Sequence, residues 1–288
     1  MKKPARLRKG DNIAIVSPSW GGPSVFPHIY ELGLRNLKAL GLNPIPFPTA
    51  RMDADQLYRN PKRRAEDINR AFADPTIQGI IASIGGDDPG RILKYLDLAQ
   101  IKTSPKLLMG YSDFTPLNTY LNQNGLVTFN GPSIMAGFAQ LHNFSPAYQR
   151  YTEDYLFSAH ESFDLPVFDS YTEGYAPWED RNNKGRINPL RPNDGLHFIQ
   201  GKAKVSGPLF GGCADILEMM KGTPFWPQSE FWRHKILFLE TSENKPGVEQ
   251  VRYWLRNYGV MGIYDQLSGL LVGRARGYYP QEKVAFEA

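Results

Sequence analysis

The residues best placed to do chemistry lie in residues 107–116, Leu-Leu-Met-Gly-Tyr-Ser-Asp-Phe-Thr-Pro. The apolar start predicts a buried strand. Thr115 and Pro116 predict the first turn of a helix, where proline is tolerated because its missing N–H has no partner to lose. Ser112 then sits at a sharp strand-to-helix turn, with the N–H of Asp113 beside its hydroxyl. Acyl transfer needs this combination: an exposed nucleophile and an amide aimed at the developing oxyanion. The hydrolase elbow G-x-S-x-G is incomplete here, because Phe114 stands where its last glycine would be. The same residues also suit a plain helix cap, and both readings stay open on this stretch alone.

A second glycine-bearing turn, Gly85-Gly86-Asp87-Asp88, follows the apolar run of residues 79–84. Glycines at a strand end let the backbone approach a ligand closely. Two carboxylates at a helix start would repel a phosphate, so amides that hold an oxyanion fit better than a phosphate cradle. A plain glycine turn into an Asp-capped helix is the alternative. A third candidate, Glu240, ends the apolar run of residues 235–240, as a strand-end acid does when it orients a histidine. Trp178, in Trp-Glu-Asp-Arg, is expected on an exposed loop, where it would stack on a planar ligand group or pack against neighbouring structure.

The elements that must position these residues follow an α/β pattern. Residues 12–17 predict a first buried strand, residues 25–40 a helix, and residues 43–47 a proline-broken edge strand. Residues 61–72 predict a helix with Ala65, Ile68 and Phe72 on one face, and the Lys62-Arg63-Arg64 cluster reads as its solvated side. A helix is expected through Leu98, a strand and turn at residues 128–132, and a helix over residues 148–159. Beyond residue 160 the chain turns rich in Pro, Asn, Gly and aromatics. Residues 197–204 predict a strand, and residues 207–212 a glycine-rich lead into a helix at 213–221. Strand 235–240, helix 248–258 and strand 267–272 follow. The expected division is a nucleophile domain over 1–160, a linker and substrate loop over 161–200, and a C-terminal domain over 201–288.

Composition narrows the function classes. At 288 residues, 41% hydrophobic and 22% charged, the chain is expected to form a packed soluble protein. A net charge of +4 without an aromatic-laced basic face argues against nucleic-acid binding. Cys213 is the single cysteine, so no intrachain disulfide can form, which fits a cytoplasmic location. No apolar run reaches membrane-span length, and the charged N-terminus lacks the apolar core of a secretory signal. The first turn lacks G-x-G-x-x-G, so no NAD or FAD is expected. Neither His-Glu-x-x-His nor Cys-x-x-Cys spacing is present to hold a metal.

Taken together, Gly110-Tyr111-Ser112-Asp113, Gly85-Gly86 after a buried strand, and Leu237-Phe238-Leu239-Glu240 resemble the LD-carboxypeptidase family of serine peptidases. Residues 207–212 and 222–226 share the likeness, which runs from Asn12 to about Arg274. Ile84-Gly85-Gly86-Asp87, Pro177-Trp178-Glu179, residues 191–195 and Glu240-Thr241-Ser242-Glu243 are similar to the microcin C immunity subgroup. The resemblance implies a flavodoxin-like N-terminal domain joined to a β-rich swivelling C-terminal domain, a homodimer, and a Ser–Glu–His triad without cofactor. It implies Ser112 as nucleophile, Glu240 as the residue holding the histidine, and amides at Gly86, Asp87 and Asp113 as the oxyanion hole. Gly85 and Trp178 would bind substrate, a peptide or aminoacyl nucleotide.

One feature departs from that pattern. The family histidine lies beyond the strand corresponding to residues 267–272, and the histidines present are His28, His142, His160, His197 and His234. At about 3.3 Å per residue, His234 would stand roughly 20 Å from Glu240 along one strand. The expectation is a C-terminally truncated chain whose natural form carries the histidine. The alternatives are a murein tetrapeptide LD-carboxypeptidase and a non-catalytic ligand-binding homologue, with a flavodoxin-like redox module more distant.

Overall fold

The structure is a computed structural model and describes residues 1–86, 88, 90–158, 162–201 and 204–287. The chain divides into two compact units, Met1–Gly195 and Leu196–Ala288.

The first unit is built on β1 (Asn12–Val16), β2 (Asn43–Pro46), β3 (Ile77–Ala82), β4 (Leu107–Gly110) and β5 (Phe129–Asn130). They form one parallel sheet in the order β2-β1-β3-β4-β5. β1, β3 and β4 are almost entirely buried, Asn12 and Gln78 apart, as their largely apolar runs require of strands covered on both faces. β2 carries two prolines, which cost ladder hydrogen bonds, and it lies at the edge. Helices α1 (Gly22–Val25), α2 (Pro27–Ala39), α3 (Ala54–Arg59), α4 (Pro61–Ala73), α5 (Leu98–Thr103), α6 (Thr115–Gln123) and α7 (Pro146–Phe157) connect and cover the sheet. Ile13, Ile15, Ile81, Leu107 and Met109 of the strands pack with Ile29, Leu34 and Leu37 of α2 in the main core.

Residues 25–40 were expected as a single helix, but they break at Phe26 (φ −124°, ψ 62°). The ring of Pro27 disfavours helical backbone at the residue before it, so α1 ends and α2 restarts with proline in its first turn. The helix expected through Leu98 is a 3-10 turn over Gly90–Tyr95 followed by α5, which Asp97 caps from the side by accepting the Gln100 N–H. The weakly patterned stretch after residue 160 holds a short antiparallel pair, β6 (Ser170–Thr172) with β7 (Leu190–Pro192).

The second unit runs β8 (Leu209–Cys213), α8 (Ala214–Met220), β9 (Ile236–Glu240), α9 (Val248–Val260), β10 (Gly269–Val272) and α10 (Pro280–Glu287). Its sheet is parallel, in the order β10-β9-β8. The core is aromatic: Phe210, Trp232 and Tyr258 pack with Leu217, Leu237 and Leu239.

Three expectations fail in this unit. Residues 207–212 are not a loop leading into a helix, because most of them form β8. A Cβ on Gly211 would lie 1.8 Å from the Phe238 carbonyl oxygen, so the glycine serves a close strand-to-strand approach rather than a turn. The strand expected over 197–204 is absent among the described residues, and Leu196, Phe198 and Ile199 are exposed there. Alternation of residue type makes a strand only where a neighbour accepts its hydrogen bonds. His234 likewise lies before β9 and not within it, at φ +60°.

Candidate active site

In a sheet ordered 2-1-3-4-5, strand order reverses between β1 and β3, and ligands bind outside the carboxyl ends of the strands near that point. Three turns meet that description: residues 17–22 after β1, residues 83–90 after β3, and residues 111–114 after β4.

Ser112 opens a 3-10 turn over Ser112–Phe114, which leads directly into α6. Its φ is +59°, in the left-handed region that a residue with a Cβ enters only at a cost. Phe114 is fully buried behind it, and the Phe114 N–H donates to Tyr111 O at 3.1 Å to close the turn. Gly110 is needed here, since a Cβ on it would meet the Phe114 ring at 2.6 Å. The turn is held from the inside, and Ser112 itself is half-buried.

The glycine turn after β3 comes up against this hydroxyl. A Cβ on Gly85 would stand 3.0 Å from Ser112 Cβ, 3.1 Å from Ser112 Oγ and 3.5 Å from the Asp113 nitrogen. Gly86 has φ +134°, and a Cβ on it would lie 2.1 Å from Trp20 Cβ and 2.7 Å from the Trp20 nitrogen. The Trp20 N–H donates to Gly85 O at 3.3 Å, so the loops after β1 and β3 lie backbone against backbone. Asp113 is largely buried, and its carboxylate accepts from the Gly86 N–H and from Ser112 Oγ, each at 3.3 Å. Ser112, Asp113, Gly85 and Gly86 are thus gathered at one place. Asp87, the remaining residue expected in the oxyanion hole, lies outside the described residues.

Trp178 was expected on an exposed loop, but its indole is half-buried in the first unit. The ring stacks on Tyr175 with centroids 5.0 Å apart and meets the edge of Phe26 at 5.6 Å, while its carbonyl contacts His28 Nε2 at 3.0 Å. Two short chains connect it to the Ser112 region. Phe26 packs on Trp20 at 6.2 Å, and Trp20 backs Gly86. The Tyr175 hydroxyl meets the Tyr111 hydroxyl at 3.5 Å, next to Ser112.

In the second unit, Glu240 is the last residue of β9, half-buried and in register with Cys213 of the parallel neighbour β8. The turn after it is pinned by Asp215 in the first turn of α8. The Asp215 carboxylate accepts from the Ser242 N–H at 3.1 Å and from Ser242 Oγ at 2.9 Å. Glu240 ends β9 and Ser112 opens the turn two residues beyond β4, in different units.

Sequence reasoning missed several supporting residues. Arg64, read as part of a solvated face, is 1% exposed. The available signal was its spacing, four residues before the inward-facing Ile68 of α4. Trp20, Tyr111 and Tyr175 carried no signal beyond residue type. Among the described residues no group of His, Cys, Asp and Glu side chains could hold a metal, and no helix is long and apolar enough to cross a membrane.

Comparison with known proteins bears on the whole chain. Residues 13–131 match the LD-carboxypeptidase N-terminal domain, and residues 206–287 match the LD-carboxypeptidase C-terminal domain. The crystal structure of an MccF-like protein from Streptococcus pneumoniae in complex with AMP is 31% identical. It superposes with a TM-score of 0.85, over 96% of this chain and 85% of that one. A Bacillus subtilis protein named "probable murein peptide carboxypeptidase" is 29% identical over 94% of this chain and 74% of its own length. The microcin C7 self-immunity protein MccF of Escherichia coli is 26% identical over 94% of this chain and 77% of its own length. With a match to both domain models and a shared fold over nearly its full extent, the chain belongs to the LD-carboxypeptidase family.

Proposed function

We propose that this protein is a serine-type peptidase that hydrolyses an amide bond near a free carboxylate, and that its substrates are aminoacyl or peptidyl nucleotides of the microcin C kind. The observation that carries the reading is the strained Ser112 turn, whose hydroxyl faces a glycine with no side chain to block it. A non-glycine residue at positive φ costs about 1–3 kcal/mol, and such strain clusters at active sites. A helix cap would not require it.

In this reaction Ser112 Oγ attacks the amide carbon, and its proton passes to a base in the place of the family histidine after the strand corresponding to β10, a place that none of His28, His142, His160, His197 and His234 occupies. The negative charge gathers on the former carbonyl oxygen, which takes hydrogen bonds from amides at Gly86, Asp87 and Asp113. Binding an oxyanion there requires the Asp113 carboxylate to leave the Gly86 N–H that it now accepts from. The histidine returns the proton to the departing amine, and water then releases the acyl group from Ser112 by the same steps. Glu240 orients the histidine. Trp178 lies toward the leaving nucleotide, a role supported by the AMP in the S. pneumoniae relative and by the name of the E. coli immunity protein.

The test is hydrolysis by the full chain of an aminoacyl-adenylate analogue and of a muropeptide, each repeated with Ser112→Ala. Release of the amino acid from the adenylate, lost in the variant, supports the proposal. Turnover of the muropeptide alone selects the murein reading, which the name of the B. subtilis relative favours. Binding without turnover even when imidazole is added as the base, unchanged by Ser112→Ala, refutes the enzymatic reading.

A further inference from the structure

The proposed chemistry makes no use of Arg64, a buried cation of the first unit. It sits in the first half of α4, yet almost none of it reaches solvent. Burial pushes its pKa down and Asp88 opposes that shift. A buried charge is tolerated only when it is paired and hydrogen-bonded. The partners here are specific. Nη1 donates to Pro18 O at 2.8 Å and to Asp88 O at 3.1 Å, and Nη2 meets Asp88 Oδ2 at 3.3 Å.

Pro18 belongs to the loop after β1 and Asp88 to the loop after β3, the two loops that flank the reversal in strand order. The first loop carries Trp20, which donates to Gly85 O and leaves no room for a side chain on Gly86. The second carries Gly85 and Gly86 themselves. Asp88 holds φ +66°, and its carboxylate is gripped a second time by Arg91 at 2.7 Å. A left-handed non-glycine residue needs such external restraint to persist.

We infer that Arg64 is a positioning residue: its guanidinium clamps the loops after β1 and β3 together and so sets the Gly86 N–H beside Ser112. The inference rests on reading that amide as an oxyanion donor. Arginine suits the task because Nη1 bridges the Pro18 and Asp88 carbonyls while Nη2, fixed in the same plane, meets the Asp88 carboxylate. Lysine, with a shorter stem and a single nitrogen, cannot hold both carbonyls and the carboxylate at once.

The experiment uses the full chain with Arg64→Lys and Asp88→Asn. The Trp20 and Gly86 amides are hydrogen-bonded in the native protein, so their exchange with deuterium reports opening of each loop. In Arg64→Lys, exchange in residues 17–22 and 83–90 is expected to speed up together, by about tenfold, while residues 107–123 keep their native rates. Asp88→Asn leaves the Pro18 bond in place and is expected to loosen residues 83–90 more than residues 17–22. Labelling of Ser112 by a fluorophosphonate is expected to slow by about 10–100-fold in its maximal rate, with unchanged half-saturation, as displaced catalytic geometry predicts.

Native exchange in both loops of Arg64→Lys overturns the clamp. Faster exchange throughout the first unit overturns it too, because Arg64 would then be a general core element. Loosened loops with a native labelling rate overturn the positioning role. A native protein that does not label at Ser112 even with added imidazole refutes the serine reading, and the exchange of the two loops still decides the clamp.

Discussion

Replacing Gly85 with alanine tests the arrangement where it borders the reacting hydroxyl. The new methyl would stand 3.0 Å from Ser112 Cβ and 3.1 Å from Ser112 Oγ. Carbon atoms settle at about 3.5–4.0 Å, so the serine or the glycine turn must yield by roughly 0.5–1 Å. Gly85 is not at positive φ, so the substitution brings no backbone penalty of its own. Overpacking costs about 1–3 kcal/mol, and the loss of chain entropy in the unfolded state returns about 0.4–1 kcal/mol. The net destabilisation is then at most about 2.5 kcal/mol, or up to about 10 °C in Tm for a domain of this size. The chemical consequence is larger, since a misplacement near 1 Å costs about 100-fold. The assay is the rate of fluorophosphonate labelling at Ser112, followed by mass spectrometry, with circular dichroism as a check of folding. A 10–100-fold slower maximal rate in a folded Gly85→Ala protein is expected. Labelling at the native rate would show that the glycine turn does not border the reacting hydroxyl, and the placement of the oxyanion site would fall with it.

Two further outcomes follow from local geometry. Ser112→Gly should melt above Ser112→Ala by about 1 kcal/mol, roughly 2–4 °C, because only glycine relieves the φ of +59°; equal melting temperatures would mean that the turn is unstrained. In the second unit, Glu218 pairs with Lys221 at 2.5 Å, and burial holds its carboxyl above the ordinary 4.5 while Lys221 opposes the shift. A raised folded-state pKa means that the native protein binds the proton more tightly, so this stabilisation is complete in acid and is lost as pH rises through the raised value. Glu218→Gln should therefore flatten the fall in stability from pH 4.5 upward, measured by urea denaturation across that range, and a steeper fall in the variant would contradict the assignment.

Much of the first unit was legible because its strands are largely apolar runs and its helices carry period-3.6 faces. The Ser112 turn could be placed from residues 107–116 alone, since a strand ending in glycine and a helix opening on Thr-Pro leave little room between them. What stayed hidden depends on partners distant in sequence. Gly211-Gly212 resembles a turn until the Phe238 carbonyl is seen to occupy the place of a side chain. Arg64 sits in a run of charges, and only Pro18 and Asp88, 46 and 24 residues away, explain its burial. Trp178 finds Phe26 across a sequence gap that no local pattern spans. Residues 197–204 show the reverse error, a strand-like pattern without a neighbour to pair with.

The contact between Trp20 and Gly86 also limits how this protein can change over evolutionary time. Surface loops usually absorb insertions and deletions at little thermodynamic cost. Here the Trp20 nitrogen and Cβ fill the volume beside Gly86, so a change of length that shifts either residue must be matched in the other loop to keep the contact. Divergence in length among descendants of this sequence is accordingly expected in segments such as residues 162–201, and the spacing from β1 to Trp20 and from β3 to Gly86 should stay constant.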